Sequence, residues 1–372
     1  MKKSVRVFFV VLTLLLSFSS AVYSEDCSGL KQPFSFIVFG DSRADRKIDA
    51  AVSPSLAPLV ATIKAYIDNP QKYYKNGIKP SFIMFNGDLA VRANKENYAT
   101  WKKIMQPLYD EKLPIAIALG NHELYDSTTE EGYLQKQKDF LDFNNEGLSK
   151  FPEHGRCIKG WNNNAAYSFM WNNSLFITMD TYLFPHELNE HKKYDLSGWM
   201  DKEQLNFVKH ELIANNKATF TFVFAHTPIF TVFNSYHPLT KGQKAFGGTY
   251  NESLQKLWQT LDNTDGDKAY RHIDAYFSGH DHFYARKLIN KQIDSKWKNS
   301  ILEVVCGGAG APLANSEGCL TDSEKCITFD TPPEISSQFH FVVVNVYDMF
   351  VTLHVFNTEG AEIDHYLIEK VD

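Results

Sequence analysis

Phe34–Asp45 reads FSFIVFGDSRAD: a run of apolar residues broken only by Ser35, then Gly40, then at once a carboxylate, a hydroxyl and a guanidinium. A short apolar run halted by glycine is the pattern of a strand buried on both faces. Two chemistries compete for the polar groups after the glycine. Ser42 could act as a nucleophile, or Asp41 could open a metal site with Ser42 as a neighbour. The strand decides the fold; the rest of the chain decides the chemistry.

Working outward, the same pattern recurs. SFIMFNG ends at Gly87, PIAIALG at Gly120, NSLFITMD at Asp180, ATFTFVFA at Ala225 and HIDAYFSG at Gly279. Helical stretches are expected over roughly 55–66, 96–109, 202–215 and 253–261. Short, almost wholly apolar strands alternating with helices indicate βαβ units and a covered parallel sheet. The chain ends differently: ILEVVCGG, HFVVVNVYD and FVTLHVFNTEG are strands with no helix between them. The fold class expected is therefore α/β, with two packed mixed β-sheets flanked by helices in a single domain. That domain would span 25–372, with 301–372 supplying its C-terminal strands. The aromatic segment WNNNAAYSFMWNN (161–173) reads mainly as strand and core.

The first 24 residues read as a secretory signal peptide. Lys2, Lys3 and Arg6 precede an apolar stretch from Val7 to about Phe18, and small residues come next, with a cut expected after Ser24 or Ala21. The stretch is short for a membrane span, and no stable span is expected after cleavage. The expectation is an exported protein, periplasmic or secreted. Without the three basic residues of the leader, 35 Lys and Arg face 44 acids. Such an acidic chain lacks the footprint of a nucleic-acid binder, and an anionic substrate would need local positive charge such as a metal. Five cysteines (Cys27, Cys157, Cys306, Cys319, Cys326) in an exported chain point to disulfides with one thiol left free. Cys319–Cys326 could staple a loop, while Cys27–Cys157 and Cys157–Cys306 stand as alternatives.

In open α/β sheets ligands bind at the carboxyl ends of the strands. Asp41 follows the first strand, Asp88 in NGD the second, and Asn121, His122 and Glu123 in GNHE the third. His226 in HTP and His280 and His282 in GHDH come after two later strands. Carboxylates, imidazoles and an amide oxygen are donors for divalent Mn, Fe or Zn. One carboxylate can bridge two such ions, which act as clamps for displacement at phosphorus.

The ordered set GD, GD, GNHE, H-x-P and GHDH resembles the calcineurin-like metallophosphoesterase superfamily, as do CGGAGAPL (306–313) and the final strands. The resemblance covers most of the chain. It implies a metal-dependent phosphomonoesterase or phosphodiesterase with one or two divalent ions. Asp41, Asp88 and His282 would hold the first, and Asp88, Asn121, His226 and His280 the second. His122 would assist the leaving group as catalytic acid or orienting donor, and Glu123 would support its loop. Small-molecule phosphoesters or phospholipid headgroups would be the substrates. The departure is at Arg43, where the family usually carries a metal-binding histidine. The purple acid phosphatase branch lacks that histidine too but supplies a tyrosine, and Val91 stands in its place here. Arg43 is then a catalytic phosphate contact or a structural cation, and His154, His186, His191 and His237 are candidates for a missing ligand.

Two other functions are weighed. A GDSL-type serine esterase built on Ser42 needs D-x-x-H and G-x-N-D blocks, and the chain has neither. A non-catalytic metal- or phosphate-binding protein, its first metal site partly decayed, is suggested by Arg43. Oligomeric state has no signature in the sequence.

Overall fold

The computed structural model describes residues 32–127, 129–151, 158–182, 202–229, 260, 262, 272–292, 295, 298–314 and 334–370. In chain order these form β1 (Phe34–Phe39), α1 (Leu56–Asp68), α2 (Pro70–Tyr73), β2 (Pro80–Phe85), α3 (Lys95–Ile104), α4 (Gln106–Asp110) and β3 (Ile115–Ile117). A single 3-10 turn, Asn121–Glu123, leads to α5 (Glu130–Leu148), β4 (Lys159–Trp161), β5 (Ala166–Trp171) and β6 (Ser174–Thr178). Then come α6 (Lys202–Ala214), β7 (Phe220–Phe224), β8 (Ala275–Ser278), β9 (Tyr284–Ile289) and β10 (Ile301–Cys306). The chain closes with β11 (Glu334–Ser336), β12 (His340–Val346), β13 (Phe350–Asn357) and β14 (Glu362–Glu369).

Two mixed sheets result, in the single-domain sandwich expected from the sequence. One has strand order β14-β13-β12-β1-β2-β3 and the other β11-β9-β10-β8-β7-β6-β5-β4. Within them β1, β2 and β3 run parallel, and so do β6, β7, β8 and β10. The carboxyl ends of the two parallel sets are the ends that carry the predicted polar residues. The final strands divide between the sheets: β10 pairs with β8, whereas β12 pairs antiparallel with β1.

The opening strand shows why its sequence is apolar on both faces. Phe34, Phe36 and Val38 enter the core between the sheets, while Ile37 and Phe39 face the layer of α1, α3 and α5. Phe36 lies 5.2–5.4 Å, centroid to centroid, from Phe82, Phe176 and Phe222, drawn from both sheets. Truncating such a ring costs about 3–5 kcal/mol. Helix α1 turns Leu56, Leu59, Val60, Ile63 and Ile67 inward at helical spacing.

The structure departs from the expectations in three places. The helix expected over 96–109 is two helices meeting at Met105. Pro107 cannot donate to the helix ladder and its ring clashes with the preceding turn, so the first helix stops and the proline sits in the first turn of the next. Helices α2 and α5 are additions to the expected elements, as are β4, β9, β11 and β14. The signal peptide, most of the helix expected over 253–261, and His154, His186, His191 and His237 lie outside the described residues. So do Cys27, Cys157, Cys319 and Cys326. Cys306 is a free, buried thiol bonded to Asn86 and to the Ser278 carbonyl, which removes the Cys157–Cys306 alternative. No helix among the described residues is long and apolar enough to cross a membrane.

Candidate metal centre

Three predicted ligands hold a backbone shape that L-residues avoid. Asp41, Asp88 and His280 have φ of 66°, 57° and 69°, each costing about 1–3 kcal/mol unless its surroundings enforce it. They do. Asp41 donates its N–H to the Gly87 carbonyl, and Ser42 and Arg43 donate theirs to the Asp88 carbonyl. Glu123 accepts the N–H groups of Asp88, Leu89 and Gly120 at 2.8–2.9 Å. The loops after β1, β2 and β3 are thereby locked to one another. Glu123 supports its loop, as its place in GNHE implied. Its burial, reinforced by Asp88, pushes its carboxyl up to about 8 against those three donors.

Glycines make room for the carboxylates. A Cβ on Gly279 would stand 2.2 Å from Asp41 Oδ2, and one on Gly120 would stand 2.4 Å from Asp88 Oδ1. The sequence offered these residues in GHDH and GNHE, but only the packing reveals why glycine is required. The loop after β10 completes the frame: Ala309 and Ala311 donate to the carbonyls of Gly40 and Asp41, and Ala314 to that of His282.

The predicted side chains converge in two sets that share Asp88. In the first set, donor atoms of Asp41, Asp88 and His282 lie within 4.8 Å of one another, and all three residues are buried. His282 Nδ1 donates to the Pro312 carbonyl at 3.0 Å, which leaves Nε2 as the lone-pair nitrogen, 3.6 Å from Asp41 Oδ1. In the second set, Asn121 Oδ1 lies 3.1 Å from both His226 Nε2 and His280 Nδ1. Those two nitrogens are 3.3 Å apart, and Asp88 Oδ1 is 3.4 Å from His226 Nε2. The Asn86 carbonyl accepts from His226 Nδ1 at 2.6 Å, turning the lone pair of Nε2 toward the cluster. Imidazoles fixed by a carbonyl at the other ring nitrogen are the usual arrangement around a metal. The second set therefore fits a divalent ion by donor type, by convergence and by the tautomer of His226.

The first set has the same donor chemistry with a cation already against it. Arg43 Nη2 is 3.5 Å from His282 Nε2, and its Nε is 3.8 Å from Asp88 Oδ2. Nη1 donates to the Ala44 carbonyl at 3.2 Å. This side chain is 16 % exposed.

His122 stands beside Asp88. Its N–H donates to Asp88 Oδ1 at 2.8 Å, and its Nε2 is 4.0 Å from Asp88 Oδ2. Its Nδ1 donates to the Val91 carbonyl at 2.8 Å, and Tyr125 stacks on its ring at 5.1 Å. Val91 thus contributes a backbone group where the sequence offered only an apolar side chain. Burial pushes His122 down to about 4, with Arg43 and Arg46 acting the same way and Asp88 opposing them. Burial also works to raise Asp88, but His226, His122 and Arg43 outweigh it and hold that carboxyl at about 2. Asp41 goes the other way, raised by burial and by Asp88.

Ser42 takes no part. Its Oγ donates to the Leu89 carbonyl and accepts from Trp101 Nε1, both at 2.9 Å, so the hydroxyl is committed to the core rather than to a histidine among the described residues.

The model of the calcineurin-like phosphoesterase family matches residues 35–284. No curated protein matches the chain by sequence. Among solved structures, PhoD is 10 % identical with a TM-score of 0.58, covering 92 % of this chain and 71 % of its own. A dimetal phosphatase from Danio rerio is 12 % identical with a TM-score of 0.55, covering 91 % and 99 %. GAP50, described as the anchor in the inner membrane complex of Plasmodium, is 15 % identical with a TM-score of 0.50, covering 91 % and 90 %. At these identities the likeness is one of fold.

Proposed function

We propose that this chain, which belongs to the calcineurin-like phosphoesterase family, is an exported hydrolase of small-molecule phosphoesters, phospholipid headgroups among them. The observation that carries the catalytic part is the meeting of Asn121 Oδ1, His226 Nε2, His280 Nδ1 and Asp88 Oδ1 at 3.1–3.4 Å. These residues, with Asp41 and His282 beside them, would hold one or two divalent ions, Mn, Fe or Zn. When bound, the metal supplies Lewis-acid polarisation of the phosphoryl group and activation of water at neutral pH.

The protein's own residues do the rest. The locked loops after β1, β2 and β3 hold the carboxylates at fixed separation, so the site does not reorganise when charge develops. His122 is neutral in the free protein, its Nδ1 hydrogen fixed on Val91 and its Nε2 open to the site. A bound phosphoester anion raises its pKa by direct attraction, and the protonated ring can then deliver a proton to the leaving oxygen. The three-part leader pattern at 1–24 supports export, and N-terminal sequencing of the mature protein from the periplasm or medium tests it.

The deciding experiment measures hydrolysis of 4-nitrophenyl phosphate and bis(4-nitrophenyl) phosphate by chelator-treated protein, with Mn, Fe or Zn restored singly. Metal-dependent recovery on either ester is expected. Full activity without metal, or none with any metal on either ester, overturns the reading. The second outcome would favour a non-catalytic metal- or phosphate-binding protein, a reading for which Arg43 is the specific support. The fold permits both, since a phosphatase and a protein described as an anchor share it.

A further inference from the structure

Two donor sets share Asp88, but they are not equally open to an ion. In the second set Asn121 Oδ1, His226 Nε2 and His280 Nδ1 meet at 3.1–3.3 Å, with the shared Asp88 Oδ1 3.4 Å from His226 Nε2. In the first set the Arg43 guanidinium lies 3.5 Å from one donor and 3.8 Å from another. Its backbone is not free to leave. Arg43 donates its N–H to the Asp88 carbonyl at 3.1 Å, and it pairs with Val52 in an isolated antiparallel bridge.

The charges point the same way. Among the described residues, Asp41 and Asp88 bring carboxylate oxygens to this space, 3.9 Å and 3.4 Å from His226 Nε2, while Glu123 turns its oxygens to three backbone N–H groups. One divalent ion with Arg43 already brings three positive charges to those two carboxylates. A second divalent ion would bring five, the last two placed within a few ångströms of the Arg43 guanidinium.

We propose that the Arg43 guanidinium replaces one of the two cations, so that this centre keeps a single tight divalent ion on Asn121, His226, His280 and Asp88. Asp41, Asp88 and His282 then serve as the anchor for Arg43. Nη1 and Nη2 each carry a second N–H beyond their contacts with the Ala44 carbonyl and His282, which can donate to a substrate phosphoryl oxygen. The inference rests on the metal-dependent reading above and specifies its stoichiometry.

Elemental analysis of the full chain, after equilibration with Mn²⁺ and removal of loosely held ions, tests it directly. The wild-type protein should hold about one ion. Arg43→His removes the charge and adds a donor, and should hold about two. Low-temperature electron paramagnetic resonance gives a second readout: isolated Mn²⁺ in the wild type, and a spin-coupled pair in Arg43→His only. First-position affinity should rise at least about tenfold in the variant, the scale on which groups around a metal tune its binding. Two tightly held, spin-coupled ions in the wild type overturn the proposal, as does a single ion in a folded Arg43→His. If that variant does not fold, the wild-type count and spectrum decide alone. Wild-type protein that hydrolyses phosphoesters with two ions defeats only this inference. Protein that binds none and hydrolyses nothing defeats the functional reading with it.

Discussion

The two halves of the centre are built from the same kinds of residue and do opposite things. Around Asn121, His226 and His280 the protein arranges lone pairs toward one point, with a carbonyl behind His226 to fix its ring. Around Asp41 and His282 it arranges anionic and neutral acceptors about its own arginine. Donor type alone does not define a metal site; what else can reach the donors matters as much. A guanidinium two residues beyond the first aspartate turns half of a dinuclear arrangement into a salt-bridged pocket. Variants that treat the halves separately can break or sharpen this contrast.

The largest effect is expected in the second half. His226→Ala removes a donor and takes from the Asn86 carbonyl and Asp88 the imidazole that both face. Metal content should fall well below one per chain, and kcat/KM should drop at least about 10³-fold, roughly 4 kcal/mol of transition-state stabilisation. Elemental analysis and steady-state rates on the same preparation check both. Retention of the ion with full activity would show that the metal belongs to the other half.

His122 lies between the halves and should matter according to the leaving group. His122→Asn is expected to slow hydrolysis of esters with basic leaving groups by about 10²–10⁴-fold. Esters of 4-nitrophenol, which leaves without a proton, should lose much less. Rates across a series of leaving groups give the measurement. A uniform loss would assign His122 to holding the phosphoryl group or Asp88 instead of supplying a proton.

The first half should be more forgiving. If His282 anchors Arg43, His282→Ala should keep the tight ion and lower kcat/KM by about 10- to 100-fold, the range for groups that orient others around a metal. Losing the ion in this variant as completely as in His226→Ala would erase the difference between the halves.

The parts of this structure that are legible in the sequence are those that side chains signal. The central strands are readable because burial on both faces leaves a run such as FSFIVF with almost no polar position. The donors are readable because each carboxylate or imidazole directly succeeds such a run. Helix α5 is not, although it buries Tyr133, Phe140, Leu141 and Leu148 at helical spacing. Its buried face also carries Gln137, Asn144 and Gly147, which blur the apolar pattern. The structure explains two of them: Asn144 accepts the Ile117 N–H, and a Cβ on Gly147 would stand 2.5 Å from the Ile115 carbonyl. Backbone contributions are invisible for a simpler reason: the carbonyls that hold His122, His226 and His282 belong to Val91, Asn86 and Pro312, whose side chains say nothing of it. Arg43 is visible as an oddity, but only tertiary geometry shows what its guanidinium touches.

Ser42, the third polar residue of the opening stretch, sets the floor for the comparison and should give the smallest effect on turnover. Its hydroxyl lies between Asp41 and Arg43 in sequence, yet it faces the helix layer, bridging the Leu89 carbonyl and Trp101 Nε1. Ser42→Ala strands the buried indole N–H of Trp101, so stability should fall by about 1–3 kcal/mol while kcat/KM stays at the wild-type level. Thermal melting and rates below the transition separate the two quantities. The carbonyl of Leu89 belongs to the loop that carries Asp88, so slight loosening there should appear first as weaker metal retention. If hydrolysis instead vanished while the protein stayed folded and kept its ion, the hydroxyl would have to be the reacting group. The aspartate-centred account of both halves would then fail together.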